Sequence, residues 1–163
     1  EEESMALALC DGVAVQLAAT ADERDAVEPA DAPSVLLIPT LTAAARSAGA
    51  LFAQSLSGQD LRVELSPDSV LAAEVAALVQ DREPLAVVIG VISDAEVGQA
   101  RLLCLRLRAA HRDLPIVVGL WYLDALDDDE ARERLIEAGA NQVVDSFEAA
   151  RAALQSWQRA QAV

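Results

Sequence analysis

Residues 84–92 read Pro-Leu-Ala-Val-Val-Ile-Gly-Val-Ile, nine positions with no charge and no side-chain hydrogen-bonding group. A strand with one wet face alternates polar and apolar residues, whereas an unbroken apolar run rich in Val and Ile suits an extended backbone covered on both faces. The run therefore predicts a central strand of a parallel sheet. Parallel neighbours cannot be joined by hairpins and need crossovers long enough to hold a helix. A second run, Pro115–Trp121 (PIVVGLW), follows one helix length later, and a third, Val35–Ile38, precedes both. Strands spaced by helical stretches imply βαβ units around one buried sheet.

The remaining elements fall between these runs. The first strand stops at Pro39, which cannot donate to a ladder. Thr40 or Thr42 then caps a helix over about Thr42–Leu56, with Ala45, Ala48, Phe52 and Leu56 on one face and Gly58 beyond its end. Leu61–Leu65 alternates apolar and charged residues, as an edge strand does. A helix over Ser69–Val79 precedes the central strand, and Ser93 and Asp94 cap a long helix over Ala95–His111. Its apolar stripe is Ala100, Leu103, Cys104 and Leu107. After Trp121, three aspartates at 127–129 favour the start of a helix over Glu130–Ala138. Gln142–Asp145 reads as a fifth strand, and Ser146 caps a helix over Phe147–Gln158. Five strands, each followed by a helix, predict a flavodoxin-like α/β three-layer sandwich whose five-stranded parallel sheet has order 2-1-3-4-5. This domain is expected over 34–163. Residues 1–33 divide into a helix over Met5–Ala19, striped by Met5, Leu9, Val13 and Leu17, and an acidic linker with two prolines, 21–33.

Charge narrows the partners. The net charge is −15, and all 12 basic residues are Arg. Such a surface repels phosphate backbones and anionic headgroups, so nucleic acid and membrane surfaces are excluded as partners, and a protein or a small molecule is expected. One His and no CxxC argue against a metal site. Cys10 and Cys104 sit in apolar helical contexts and read as small core residues. No apolar run reaches the roughly 18 to 20 residues that span a bilayer. The chain opens on Glu1-Glu2-Glu3 rather than Met, which leads to the expectation of a fragment of a longer, cytoplasmic protein.

In a sheet of this order, ligands sit outside the carboxyl ends of the strands. The groups delivered there are Pro39 to Thr42, Ser93 and Asp94, Trp121 and Tyr122, and Asp145 with Ser146. Thr40, Thr42, Ser93, Asp94, Trp121, Tyr122 and Ser146 are therefore the candidate ligand-binding residues. None of them is a His, Cys or Lys, so no base or nucleophile is available; no catalytic residue is assigned and no enzyme is expected. His111, at a helix end beside Arg112, is given no catalytic role. Arg101, Arg108 and Arg112 share one flank of the long helix and form a candidate partner surface. A phosphorylation receiver has this layout, with acids after strand one, an Asp after strand three and a Lys after strand five. Here strand one ends in Ile38-Pro39, Asp94 lies near the third position, and the chain has no Lys.

The segments 35–65 and 114–150 resemble the cobalamin-binding domain in their strand, loop and helix pattern. That resemblance implies cobalamin as cofactor, held through a loop motif Asp-x-His-x-x-Gly that falls on Ala44, Arg46 and Gly49. Only the glycine matches, and an Arg in place of the cobalt-ligating His cannot coordinate the metal; the expectation is a retained fold with no cofactor. Leu114-Pro115-Ile116-Val117-Val118-Gly119-Leu120-Trp121 is similar to a segment in the cytoplasmic tails of the autoinducer-2 exporter (AI-2E) permease family. This implies a regulatory or interaction domain tethered to the inner membrane by a transporter, pairing as a homodimer through an apolar helix. Two alternatives stand beside it: a sensor taking cobalamin or a nucleotide at the strand ends, and a degenerate receiver-like signalling domain.

Overall fold

The computed structural model describes residues 32–40, 42–56, 60–67, 72–122 and 128–161. The expected helix over Met5–Ala19 and nearly all of the acidic linker lie outside the described residues, as do Leu41 and Gly58. Five strands and five helices alternate: β1 (Ser34–Pro39), α1 (Ala43–Ser55), β2 (Arg62–Leu65), α2 (Ala72–Arg82), β3 (Ala86–Val91), α3 (Val97–Ala110), β4 (Ile116–Leu120), α4 (Asp129–Glu137), β5 (Gln142–Val144) and α5 (Phe147–Gln161). The strands form one parallel sheet of order β2-β1-β3-β4-β5, the doubly wound flavodoxin-like arrangement.

The apolar runs occupy its centre. Every residue of β1, β3 and β4 is buried, whereas β2 at one edge is half-buried throughout and β5 at the other is wet at Gln142. Alternate side chains feed two cores. Leu36, Ile38, Val87, Ile89, Val91, Ile116 and Val118 point toward α2, α3 and α4. Val35, Leu37, Val88 and Val117 point toward α1 and α5, where Phe52, Phe147, Trp121 and Trp157 make this second core the aromatic one.

Three helices differ from expectation by more than one residue, and the last of them, α5, runs to Gln161 rather than Gln158. The helix placed at Ser69–Val79 is described from Ala72 and continues to Arg82. It ends there because Glu83 takes up the left-handed conformation (φ 46°) and its N–H donates to Val79 O at 2.9 Å, an αL stop made without glycine immediately before Pro84. The helix expected over Ala95–His111 opens instead as a 3-10 turn, Asp94–Glu96, and becomes α-helical at Val97. Ser93 makes no side-chain capping bond, contrary to its expected role. Its place is taken by Glu96, whose carboxylate accepts from Ile92 N–H at 3.0 Å and ties the turn to the end of β3.

Candidate functional site

At the carboxyl edge of the sheet, β1, β3 and β4 deliver their loops side by side. Gly90 and Gly119 are register partners on β3 and β4, both buried. The Trp121 indole lies over the pair: a Cβ built at Gly90 would stand 2.7 Å from Trp121 Cζ3, and one built at Gly119 would overlap the indole at Cε2 and Nε1. Both glycines are thus required by a close approach. The indole is boxed in by rings from both flanking helices, with Phe52 of α1 at 5.2 Å (tilted 39°) and Phe147 of α5 at 4.7 Å, edge-on at 85°. Phe52 and Phe147 also meet each other at 5.4 Å. Such tilted and edge-to-face contacts contribute about 0.5–1.5 kcal/mol per pair beyond burial. Trp121 N–H of the backbone donates to Val91 O at 2.7 Å, which fixes the turn that swings the side chain over the strands.

On the other side of this edge sits a polar hub. Glu96 is 8% exposed. One carboxylate oxygen accepts from Ile92 N–H, and the other accepts from the Thr42 hydroxyl at 2.7 Å. Thr42 in turn accepts from Ala45 N–H at 3.1 Å and so caps α1. One buried carboxylate therefore joins the loop after β1 to the loop after β3. Thr40 is 2% exposed; its backbone N–H donates to Gly90 O at 3.2 Å, and its hydroxyl has no partner among the described residues. The Trp121 indole N–H is likewise buried without a partner among them.

Tyr122 is anchored outward. Its hydroxyl donates to Asp128 Oδ2 at 2.8 Å, while Asp128 Oδ1 accepts from Ala131 N–H at 3.0 Å and caps α4. Burial, then the bond and charge of Asp128 and the charge of Asp94, push the Tyr122 hydroxyl up from 10.0 to about 12. The Ala131 N–H and the Tyr122 hydroxyl together hold the Asp128 carboxyl below its ordinary value. Asp94 is exposed, Ser93 is half-buried, and Ser146 is exposed with its hydroxyl accepting from Ala149 N–H at 3.2 Å as the cap of α5.

The seven candidate ligand residues are thus divided among internal duties. Thr42 and Ser146 cap helices, Tyr122 braces α4, and Trp121 roofs two strands; Thr40, Ser93 and Asp94 remain. Sequence reasoning missed Glu96, Phe52, Phe147 and Asp128 as members of this edge. A Glu in the first turn of a helix ordinarily faces water beside the helix dipole, so nothing in the sequence marked Glu96 as buried. The paired glycines ahead of a Trp were the available signal for the indole roof.

The partner surface proves to be divided too. Arg108 is half-buried, and its guanidinium donates to Gly139 O at 2.7 and 3.2 Å, to Asn141 Oδ1 at 2.7 Å and to His111 O at 3.3 Å. It staples the end of α3 to the turn before β5, while Arg101 and Arg112 are exposed. Asn141 also accepts from Ile116 N–H at 2.9 Å, extending the staple to β4.

The cobalamin motif positions fare differently from their family setting. Ala44, Arg46 and Gly49 lie inside α1 rather than in a loop, Arg46 donates to Ser66 O at 3.0 Å, and Gly49 faces Leu37 and Leu65. Neither residue set nor geometry fits a cobalt ligand. Among the described residues no cluster of three or more His, Cys, Asp or Glu is gathered for a metal, and no helix is long and apolar enough to cross a membrane.

The flavodoxin-like fold of this chain is shared by solved structures. No known family model matches the chain, and no curated protein matches it. Among solved structures it is similar to a CheY-like protein (tadZ) from Pseudomonas aeruginosa PAO1, at 14% identity and TM-score 0.57 over 77% of this chain and 92% of that one. It is also similar to a putative pilus assembly-related protein from Burkholderia pseudomallei K96243, at 16% identity and TM-score 0.55 over 77% of this chain and 89% of that one. These likenesses carry the fold; they do not carry the permease or the cobalamin resemblance.

Proposed function

We propose that this chain is a receiver-shaped regulatory or interaction module that works through protein contacts, without phosphotransfer, cofactor or catalysis. The observation that carries this reading is the roof of Trp121 over Gly90 and Gly119, which fills the strand ends with the chain's own side chain. Around it, Glu96 is tied to Thr42 and Ile92, the position after β1 is Thr40 rather than an acid, and the chain has no Lys to hold a phosphoryl oxygen. Asp94, exposed after β3, is the acid near the receiver position. One structural neighbour is described as pilus assembly-related, which is in keeping with a module for assembly contacts. The similarity of Leu114–Trp121 to permease tails supports attachment to a membrane transporter.

The test is titration of the full chain with Mg²⁺ and beryllofluoride, a phosphoryl mimic, and separately with cobalamins and nucleotides, following the melting temperature. No shift is expected with any of them. A concentration-dependent rise with beryllofluoride that vanishes in Asp94→Asn would overturn the reading in favour of a working receiver. For the transporter attachment, a tagged copy expressed from its native locus should pellet with membranes; recovery entirely in the soluble fraction would refute it.

A further inference from the structure

β2 lies outermost in the sheet and among the described residues is paired on one side only, with β1. Arg62 N–H donates to Pro33 O at 3.0 Å and Ser66 N–H to Leu37 O at 2.9 Å, so the backbone groups of Arg62, Glu64 and Ser66 turn inward. A strand alternates these directions, and the N–H and C=O groups of Leu61, Val63 and Leu65 therefore turn outward, away from β1. Their side chains pack on the α1 and α5 side of the sheet. Arg62 and Glu64 lie on the other side, where the Glu64 carboxylate meets Arg62 at 3.2 Å and Arg82 of α2 at 3.3 Å. Arg62 Nε has no partner among the described residues.

Charged side chains commonly guard an edge strand against pairing. An Arg and a Glu placed two apart leave one partner admissible, a strand that sets the opposite charge across from each. An antiparallel second copy of β2 centred on Val63 is such a strand. Arg62 of one copy then faces Glu64 of the other, twice over, while Val63 faces Val63 and Leu61 faces Leu65 through the outward backbone groups. Centring the pair on Arg62 or Glu64 would set like charge on like and use backbone groups already bonded to β1. Centring it on Leu65 would bring Pro67, which has no N–H, into the ladder.

The geometry points to a second copy of this chain as the partner of β2: the two edges pair antiparallel about a twofold axis at Val63 and join two five-stranded sheets into one. The proposal rests on the reading of the chain as a module of protein contacts and names one such contact. A few residues a side make a joint smaller than the ~1,200–2,000 Å² of standard interfaces, so the dimer is reversible and grows with concentration.

Sedimentation of the full chain over about 5–500 μM, a window for weak contacts, should pass from monomer toward dimer. Val63→Pro removes an outward N–H that β1 does not use, a change edge strands accept; it should leave a monomer throughout, with β3 and β4 amides still protected from exchange. Glu64→Arg alone and Arg62→Glu alone each set like charges across the joint and should weaken association about tenfold. An equimolar mixture of those two variants restores opposite charges at both positions and should associate at wild-type strength. Amide exchange at Val63 and Leu65 should slow as the concentration rises, whereas Glu64, bonded to β1, is slow at every concentration. A chain that stays monomeric to the top of the range, a dimer untouched by Val63→Pro, or a mixture no tighter than either variant alone would overturn the pairing. Any of these leaves the wider reading of the chain intact, since that reading falls to a beryllofluoride shift and not to the oligomeric state.

Discussion

At the carboxyl edge of the sheet, Trp121, Glu96, Thr42 and Tyr122 each find neighbours within the chain. On the outer face of α3, Leu102, Leu105, Arg101 and Arg106 are exposed. In a doubly wound sheet ligands are ordinarily taken at the strand ends, because loops converge there and side chains are free to leave the core. Among the described residues of this chain, Trp121, Glu96, Thr42 and Tyr122 are taken up in packing and capping at the strand ends, while Leu102 and Leu105 stand exposed on a helix flank. The difference teaches that side chains delivered to the strand ends can be drawn into packing and capping, which leaves Thr40 Oγ1 and the Trp121 indole N–H as buried groups without a partner among the described residues of this edge.

The largest test of that contrast is at Trp121. Replacing it with Ala removes the indole from between Phe52 and Phe147 and should cost about 3 kcal/mol in urea unfolding, at the low end for large aromatic truncations because Trp121 is only partly buried. Gly119→Ala should cost about 1–3 kcal/mol by forcing the indole off its seat. Combined with Trp121→Ala, the same glycine change should cost much less, since the atoms it would strike are gone. Additive costs would mean that the roof does not depend on the glycines, and the edge would then be open to ligands.

Next in size are the polar ties. Glu96→Ala leaves the Ile92 N–H without its acceptor and takes the partner from the Thr42 hydroxyl, an expected loss of about 1–3 kcal/mol. Arg108→Ala should cost a similar amount, because Gly139 O and Asn141 Oδ1 both lose a charged donor. Arg101→Ala on the same flank should stay within about 0.5 kcal/mol of wild type. Equal effects for Arg101 and Arg108 would erase the distinction between a stapled and an open part of α3.

Those differences mark what a sequence can disclose. The runs at 84–92 and 115–121 are apolar at every position, so strand, burial and parallel order followed from composition and spacing alone. Thr42 and Ser146 were legible as caps because capping is local, set by a hydroxyl three residues before the N–H it accepts from. Trp121 is another matter. Its roof requires Gly90 and Gly119 to be register partners, and register is a property of the assembled sheet. Arg108 lies on α3 with Arg101, while Arg112 falls beyond the helix end at His111, and the bonds of Arg108 to Gly139 O, in a turn with φ of +118°, and to Asn141 Oδ1 set it apart. The stop of α2 at Glu83 was hidden because a left-handed Glu carries no glycine signal.

The smallest expected effect concerns Tyr122, and it bears on whether the edge is closed at its outer rim as well. The chain has one tyrosine, so its tyrosinate band reports this hydroxyl alone. Its value is raised from 10.0 to about 12 in the folded protein, by burial first and by Asp128 next. A group that holds its proton more tightly when folded contributes stability that is whole below the unfolded value and is lost as pH rises through the folded one. The stability from this contact should therefore be intact below pH ~10 and decline between pH ~10 and ~12. Tyr122→Phe should flatten that decline, and Asp128→Asn should bring the tyrosinate midpoint down, because the carboxylate charge that opposes ionisation is gone. A midpoint near 10 in the wild-type chain would place the ring in water, with the loop ahead of α4 open and the strand ends accessible from that side.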